Sequence, residues 1–355
     1  MVKENGIPGR IRITSGTYGR GYYIQVRSIS IQDGIKATST HIQRHKKRCQ
    51  GFLILSNCKE YKMATNRHIQ TTFLQSILSG NLPPCLDDHT SGTHKERIGI
   101  HQTWCANYEK FKQYFQTGTP GYSVFVKGNQ KLHFYALSAT PGNGLCPGAG
   151  DCLTWCYSFK AWRFAAGFFR QLQNTVLIRA QSQILVDAWQ ALPVDKTIRL
   201  YVDGDFDSLN TLKFWFGLVS ARPDLKVYGY SKSWQLFLDY AKAGHEFPSN
   251  YTLNLSSGSI YELIPSMRRA MDKLPIVRGD FVAVHPDTDI AKAPNRRTDP
   301  KKWAQWATAC KAAAVIAGYA KSFVCPGKCF DCLPNGEHAC GSDKFKGIPV
   351  VIGIH

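Results

Sequence analysis

The sequence has no run of about 18 apolar residues, so it offers no transmembrane helix. Its first ten residues, Met-Val-Lys-Glu-Asn-Gly-Ile-Pro-Gly-Arg, carry no apolar stretch of the signal-peptide kind. Neither a repeat at a solenoid period nor a low-complexity tract is present. Acidic residues are scarce: 25 Asp and Glu stand against 44 Lys and Arg, a formal charge of +19. No Gly-x-Ser-x-Gly elbow and no P-loop occurs, which removes two common enzyme signatures. A His-hydrophobic-His pair beside a catalytic tyrosine, as a conventional nickase needs, is missing too. These absences predict a cytoplasmic protein without a membrane partner. In a reducing compartment, clustered cysteines serve metals rather than disulfides.

What is there is ordinary globular material, 43% hydrophobic and 12% aromatic over 355 residues. That is enough chain for one large domain with additions, or for two. The charge is uneven: residues 1–130 hold 18 basic and 7 acidic residues. A basic excess interleaved with aromatics predicts a polyanionic partner, nucleic acid, with DNA ahead of RNA. The densest run is His41 to Arg48, and Arg44, Lys46, Lys47 and Arg48 are the candidate phosphate contacts.

The front third mixes strand-like pieces, such as Tyr22 to Ile31, with polar stretches. From about residue 130 the pattern alternates. Strands are expected at 131–138, 197–202, 226–230, 251–255 and 280–284. Helices are expected at 153–173, 176–192, 209–220, 234–243 and 303–319. Alternation of this kind predicts an α/β fold on a parallel sheet, either doubly wound or rolled into a full or partial (β/α) barrel. The organisation read from this is a basic α+β region at 1–130, an α/β core at 131–324 and a cysteine-rich segment at 325–355.

Seven of the twelve cysteines form two tight groups. Cys146-Pro-Gly-Ala-Gly-Asp-Cys152-Leu-Thr-Trp-Cys156 lies between a strand and a helix, where Pro147, Gly148 and Gly150 permit tight backbone paths around an inorganic core. Three thiolates there suit a [4Fe–4S] cluster with one open iron; zinc is the alternative. Cys325-Pro-Gly-Lys-Cys329-Phe-Asp-Cys332, followed by Cys340, suits an all-cysteine zinc site or a second [4Fe–4S] cluster, with His338 able to replace one sulfur. A third arrangement has ligands from both groups sharing one centre. Cys49, Cys58, Cys85, Cys105 and Cys310 are isolated and expected to be buried, unreactive thiols.

Tyr201-Val-Asp-Gly-Asp-Phe-Asp-Ser208 ends a strand with three acids and a glycine, and ligands of parallel sheets bind at such ends. Asp203, Gly204 and Asp205 are candidate ligand contacts, while Asp207 or Ser208 caps the next helix. Lys232 ends the following strand and is placed to meet an anion. Asn254, Ser256 and Ser257 end the one after.

Cys-Pro-Gly-Ala-x-x-Cys-x3-Cys-Tyr (146–157), Asp-Gly-Asp-Phe (203–206), Tyr-x-Tyr-Ser-Lys-Ser (228–233) and the terminal cysteines together resemble the phage gene product 88 family, over about residues 135–355. That family typically has serine where Asp203 stands and spaces its terminal cysteines differently. The resemblance implies a protein of phages and other mobile elements. It also implies a distant similarity to radical S-adenosylmethionine barrels. By that similarity Cys146, Cys152 and Cys156 hold the cluster, Asp203 and Asp205 the methionyl amine, and Asn254 or Ser256 the ribose.

Three functions compete. One is an iron–sulfur, nucleic-acid-binding protein acting in the replication or maintenance of a phage or plasmid. A second is a radical S-adenosylmethionine-type enzyme that modifies a nucleic acid or a protein. The third is a zinc-stabilised DNA nickase or binding module using Asp203 and Asp205 with Mg²⁺. The first is the leading expectation.

Overall fold

A computed structural model describes residues 13–18, 21–26, 71–82, 94–128, 134–142, 145–329, 332 and 338–354. The chain divides into two compact units, residues 1–64 and 65–355. In the first, strands β1 (Ile13–Tyr18) and β2 (Gly21–Val26) form an antiparallel hairpin in which Ile13 faces Val26. The expected phosphate contacts Arg44, Lys46, Lys47 and Arg48 lie outside the described residues, as do Cys49, Cys58 and Cys85.

The second unit is built on an eight-stranded, mostly parallel sheet. Its strands are β3 (Val126–Lys127), β4 (Tyr135–Ala136), β5 (Thr197–Leu200), β6 (Lys226–Ser231), β7 (Tyr251–Ser256), β8 (Val277–Val284), β9 (Phe323–Val324) and β10 (Val350–Gly353). The order is β3-β4-β5-β6-β7-β8-β10-β9, and only the β3–β4 pair is antiparallel. From β4 to β8 each strand lies beside its predecessor, so the sheet winds in one direction, as a (β/α) barrel does. A doubly wound sheet reverses at its middle. Among the described residues the edge strands β3 and β9 do not pair, and the barrel is not closed.

One-way winding with right-handed crossovers puts the connecting helices on one face. These are α4 (Ala165–Arg179), α5 (Gln183–Gln190), α6 (Leu209–Ser220), α7 (Trp234–Lys242) and α8 (Pro265–Asp272). Alternation along each strand then sorts the side chains. Ile198, Leu200, Val227, Leu253 and Leu255 join Leu177, Trp189, Leu212, Trp215 and Phe237 in the main core. Arg199, Tyr228, Tyr230 and Asn254 are the alternate residues and take the other face. There, Tyr228 packs with Phe134 and Ala136, and Tyr230, Cys329 and Cys340 pack against them. The sheet therefore carries helices on one side and the cysteine-rich segment on the other. Helix α9 (Pro300–Ile316) covers β8 and β10 through Trp306 and Cys310.

Local signals explain the helix ends. Ser208 accepts from Thr211 N and starts α6, and Ser182 does the same for α5 through Ile184 N. Asp299 accepts from Lys302 N just before Pro300, the first residue of α9. Two expected helices are differently divided. The stretch 153–173 breaks into α2 (Cys152–Trp155), α3 (Ser158–Ala161) and the start of α4, because Cys156 and Phe164 leave helical ψ, at 114° and 115°. The break between α4 and α5 falls at Gln181, with φ at 47°. The helix α1 (His94–Thr117) was not expected. It packs with residues 71–78 on Phe168, Phe169 and Leu172 of α4.

Helix α4 also carries a buried polar run. Gln173 exchanges two hydrogen bonds with the backbone of Tyr122, at 2.9 and 2.8 Å. Asn174 donates to Ser138 O and Val124 O. These amides satisfy irregular backbone beside β3 and β4 that has no ladder partner.

Candidate metal and ligand site

The cysteine loop is clamped to the exits of β6 and β7. Gly150 N donates to Gly258 O at 2.9 Å, Ile260 N to Gly148 O at 3.0 Å, and Ser259 Oγ to Lys232 O at 2.8 Å. Two glycines make this approach feasible. A Cβ on Gly148 would sit 1.7 Å from Lys232 O, and one on Gly258, at φ +76°, would sit 2.8 Å from Cys152 Cβ. The expected long helix after the loop is the single turn α2.

The turn after β5 is set by Tyr201, a non-glycine residue at φ 55°. Such a conformation costs about 1–2 kcal/mol. It is held because the ring is buried against Phe206 and the hydroxyl accepts from Trp215 Nε1 at 3.1 Å. Gly204 follows at φ +80°, with Ala139 O 3.1 Å from where its Cβ would stand. Asp205 then ties two strand ends together: it accepts from Ser231 Oγ, Lys232 N and Phe206 N at 2.7–2.8 Å. Asp203 accepts from Gln171 Nε2 at 3.0 Å. Burial pushes both carboxyls above their ordinary range, against the hydrogen bonds that pull them down.

Cys146, Cys152 and Cys156 all line one cavity of about 90 Å³, together with Gly204, Asp205, Lys232 and Ser256. Tyr157, Arg199, Tyr230 and Phe281 also line it. Lys232 Nζ donates to Ser256 Oγ at 2.5 Å. The structure thus brings the cysteine triad and most of the expected ligand contacts to one place. Asp203 is not among the lining residues, and neither is Asn254. Asn254 is fully buried, donates to Gly229 O and Cys340 O, and accepts from Arg278 Nε. It positions the cysteine-rich segment rather than facing the cavity. Ser257 likewise donates to no ligand space; its Oγ accepts from Ala283 N. Asp207 faces Arg179 at 3.6 Å, and Ser208 is the cap.

The terminal group sits on the inner face of the sheet. Cys329 and Cys340 pack beside Tyr228, and Cys332 Sγ accepts from Ala339 N at 3.2 Å, next to Cys340. Burial pushes the thiols of Cys325 and Cys340 up, and that of Cys329 to about 11. His338 is buried with its ring centre 4.4 Å from that of Tyr228. Cys310 is buried in the α9 core, as expected of an isolated thiol, whereas Cys105 is only half-buried.

Burial likewise pushes the Cys146 and Cys152 thiols up, while Lys232 pulls both down. Among the described residues no three His, Cys, Asp or Glu side chains are gathered so as to hold a metal ion. A single zinc draws its sulfurs to about 2.3 Å from itself, whereas a cluster places its own atoms between the thiolates. The thiols of the central triad line one cavity with Lys232, and Gly148 and Gly258 leave no room for side chains where the loop meets the strand ends.

Arg199 and Tyr157 are the participants that sequence reasoning missed. The one available signal was a lone arginine in the apolar strand Thr-Ile-Arg-Leu-Tyr-Val.

The family model for gene product 88 matches residues 110–345. The chain belongs to the gene product 88 family. The match starts before the expected residue 135, inside α1, and stops short of β10. It takes in the central triad, the 203–205 turn, Lys232 and all four terminal cysteines, and leaves out residues 44–48. No curated protein and no solved structure matches the chain. Among the described residues of this gene product 88 family member, no helix is long and apolar enough to cross a membrane.

Proposed function

We propose that the chain is an iron–sulfur protein of a mobile element, a phage or plasmid, that binds nucleic acid in the element's replication or maintenance. The observation that carries the iron–sulfur half is the meeting of Cys146, Cys152 and Cys156 on one cavity. In this reading the three thiolates hold a [4Fe–4S] cluster, and the four terminal cysteines hold a second cluster or zinc. Lys232 offsets the negative charge of the central centre, and Asp205 keeps Lys232 at the strand end through its backbone N–H. The nucleic-acid half rests on the charge of +19 and on the basic run at 44–48.

The cavity favours a second reading as well, an enzyme of radical S-adenosylmethionine type acting on a nucleic acid or protein. A bound cluster supplies one-electron redox chemistry. Lys232 and Ser256 would then fix the polar end of a small ligand beside it, and Asp205 one of its donor groups.

Anaerobic purification with elemental analysis and an absorbance spectrum tests the first half. Iron and sulfide that disappear in Cys152→Ala support it; colourless protein with stoichiometric zinc refutes it. Binding to DNA that weakens steeply with salt supports the second half, and salt-independent binding counts against it. Release of 5′-deoxyadenosine from S-adenosylmethionine under reduction separates the enzyme from the binding protein.

A further inference from the structure

We propose that Arg199 is a counter-charge shared by the two cysteine groups, a single cation on β5 that both metal centres need. The inference rests on the reading that both groups hold metal. Arg199 contacts a side chain beside each group. One Nη donates to Tyr157 Oη at 3.4 Å, and Tyr157 directly follows Cys156. On the other side the guanidinium lies 4.5 Å from the centre of the Tyr230 ring, whose hydroxyl is hydrogen-bonded to the Cys340 sulfur. The charge of Arg199 also reaches Cys329. It lines the central cavity beside Cys156.

What makes this more than a stacked arginine is the lack of an ion pair, since the Asp203 carboxylate feels its charge without pairing with it. Among the described residues no carboxylate pairs with Arg199, and its buried Nε has no hydrogen-bond partner. A half-buried cation whose Nε is sealed from water without a partner is costly. By contrast Arg222 pairs with Asp224 at 2.7 Å, and Arg268 pairs with Asp272 and Asp280. Thiolate-bound metal supplies the missing negative charge. Four thiolates around one zinc leave a net charge of about −2, and thiolates on a cubane cluster also leave an excess. Arginine suits the position because its planar fork stacks on Tyr230 while still donating sideways.

The test compares full-length wild type with Arg199→Met and Arg199→Lys. Each is measured without metal by thermal unfolding, then after anaerobic loading with ferrous iron, sulfide and zinc by metal-to-protein ratio and midpoint potential. Arg199→Met is expected to melt at or above the wild type when metal-free, because an uncompensated charge has gone. After loading it holds several-fold less metal at both groups, and iron that remains has a more negative potential. Arg199→Lys recovers most of the metal. A metal-free Met variant that melts well below wild type overturns the proposal and makes Arg199 a structural residue. Unchanged loading and potential overturn it as well, as does loss at one group alone. Wild type that takes up no metal refutes the functional reading itself, and that result is seen before any variant is made.

Discussion

Arg278 Nε donates to Asn254 Oδ1 at 2.6 Å, and the two side chains together hold the cysteine-rich segment against the sheet. Asn254 reaches Cys340 O at 2.8 Å, while Arg278 donates to Phe345 O and Ile348 O at 2.9 Å and to Asp280 O at 2.8 Å. Arg278 is 1% exposed, and its bonds to Asn254 Oδ1 and Asp280 O are buried, away from water that could replace it. Arg278→Met therefore leaves these buried acceptors unsatisfied and should cost about 3–5 kcal/mol. Denaturant melts check this. Arg278→Lys should not restore stability, because an ammonium has three donors and no planar fork to span four acceptors.

Gly148→Ala should abolish metal at the central triad while leaving the sheet folded. The added Cβ would meet the backbone oxygen of Lys232 at 1.7 Å, so the whole loop must lift. Iron content and circular dichroism separate the two effects. A variant that retains full iron means that the loop lies elsewhere.

The Asp280 carboxyl is held above its ordinary range because burial outweighs the pull of Arg268. Its favourable contribution is fully present below the unfolded carboxylate pKa of about 3.9. That contribution is lost as pH rises through the elevated folded value. Asp280→Asn removes this loss. Relative to wild type, the variant should gain stability between about pH 4 and pH 7, measured by melts at both ends.

Gly217 is exposed in the interior of α6, and nothing lies within 4 Å of where its Cβ would stand. Gly217→Ala should stabilise the protein by about 0.5–1 kcal/mol, a rise visible in thermal unfolding. It touches neither cysteine group, so metal content should not change.

Much of the α/β core was legible because its elements declare themselves locally. β5, β6 and β7 are largely apolar runs ended by glycine or polar residues, α6 has a serine cap, and α6 and α7 each have an apolar face. Local reading failed where long-range packing overrode propensity. The stretch 153–173 has helical composition, yet it turns at Cys156 so that the Tyr157 hydroxyl reaches Val202 O and Arg199. Asn254 looked like a pocket residue because it ends a strand. The register shift between β7 and β8, together with Arg278, turns it towards Cys340.

The sequence by itself determined the cysteine spacings, the parallel α/β alternation and the acidic turn at 203–205, since each is written within a dozen or so neighbouring residues. Only the tertiary structure decided that helices take one face of the sheet and the cysteine-rich segment the other. The same packing set Arg199 and Tyr230 between two cysteine groups that lie far apart in the chain. The reason is physical: strand alternation says that successive residues face opposite ways, but which way is settled by what packs there. For Asn254 that partner is Cys340, 86 residues further along.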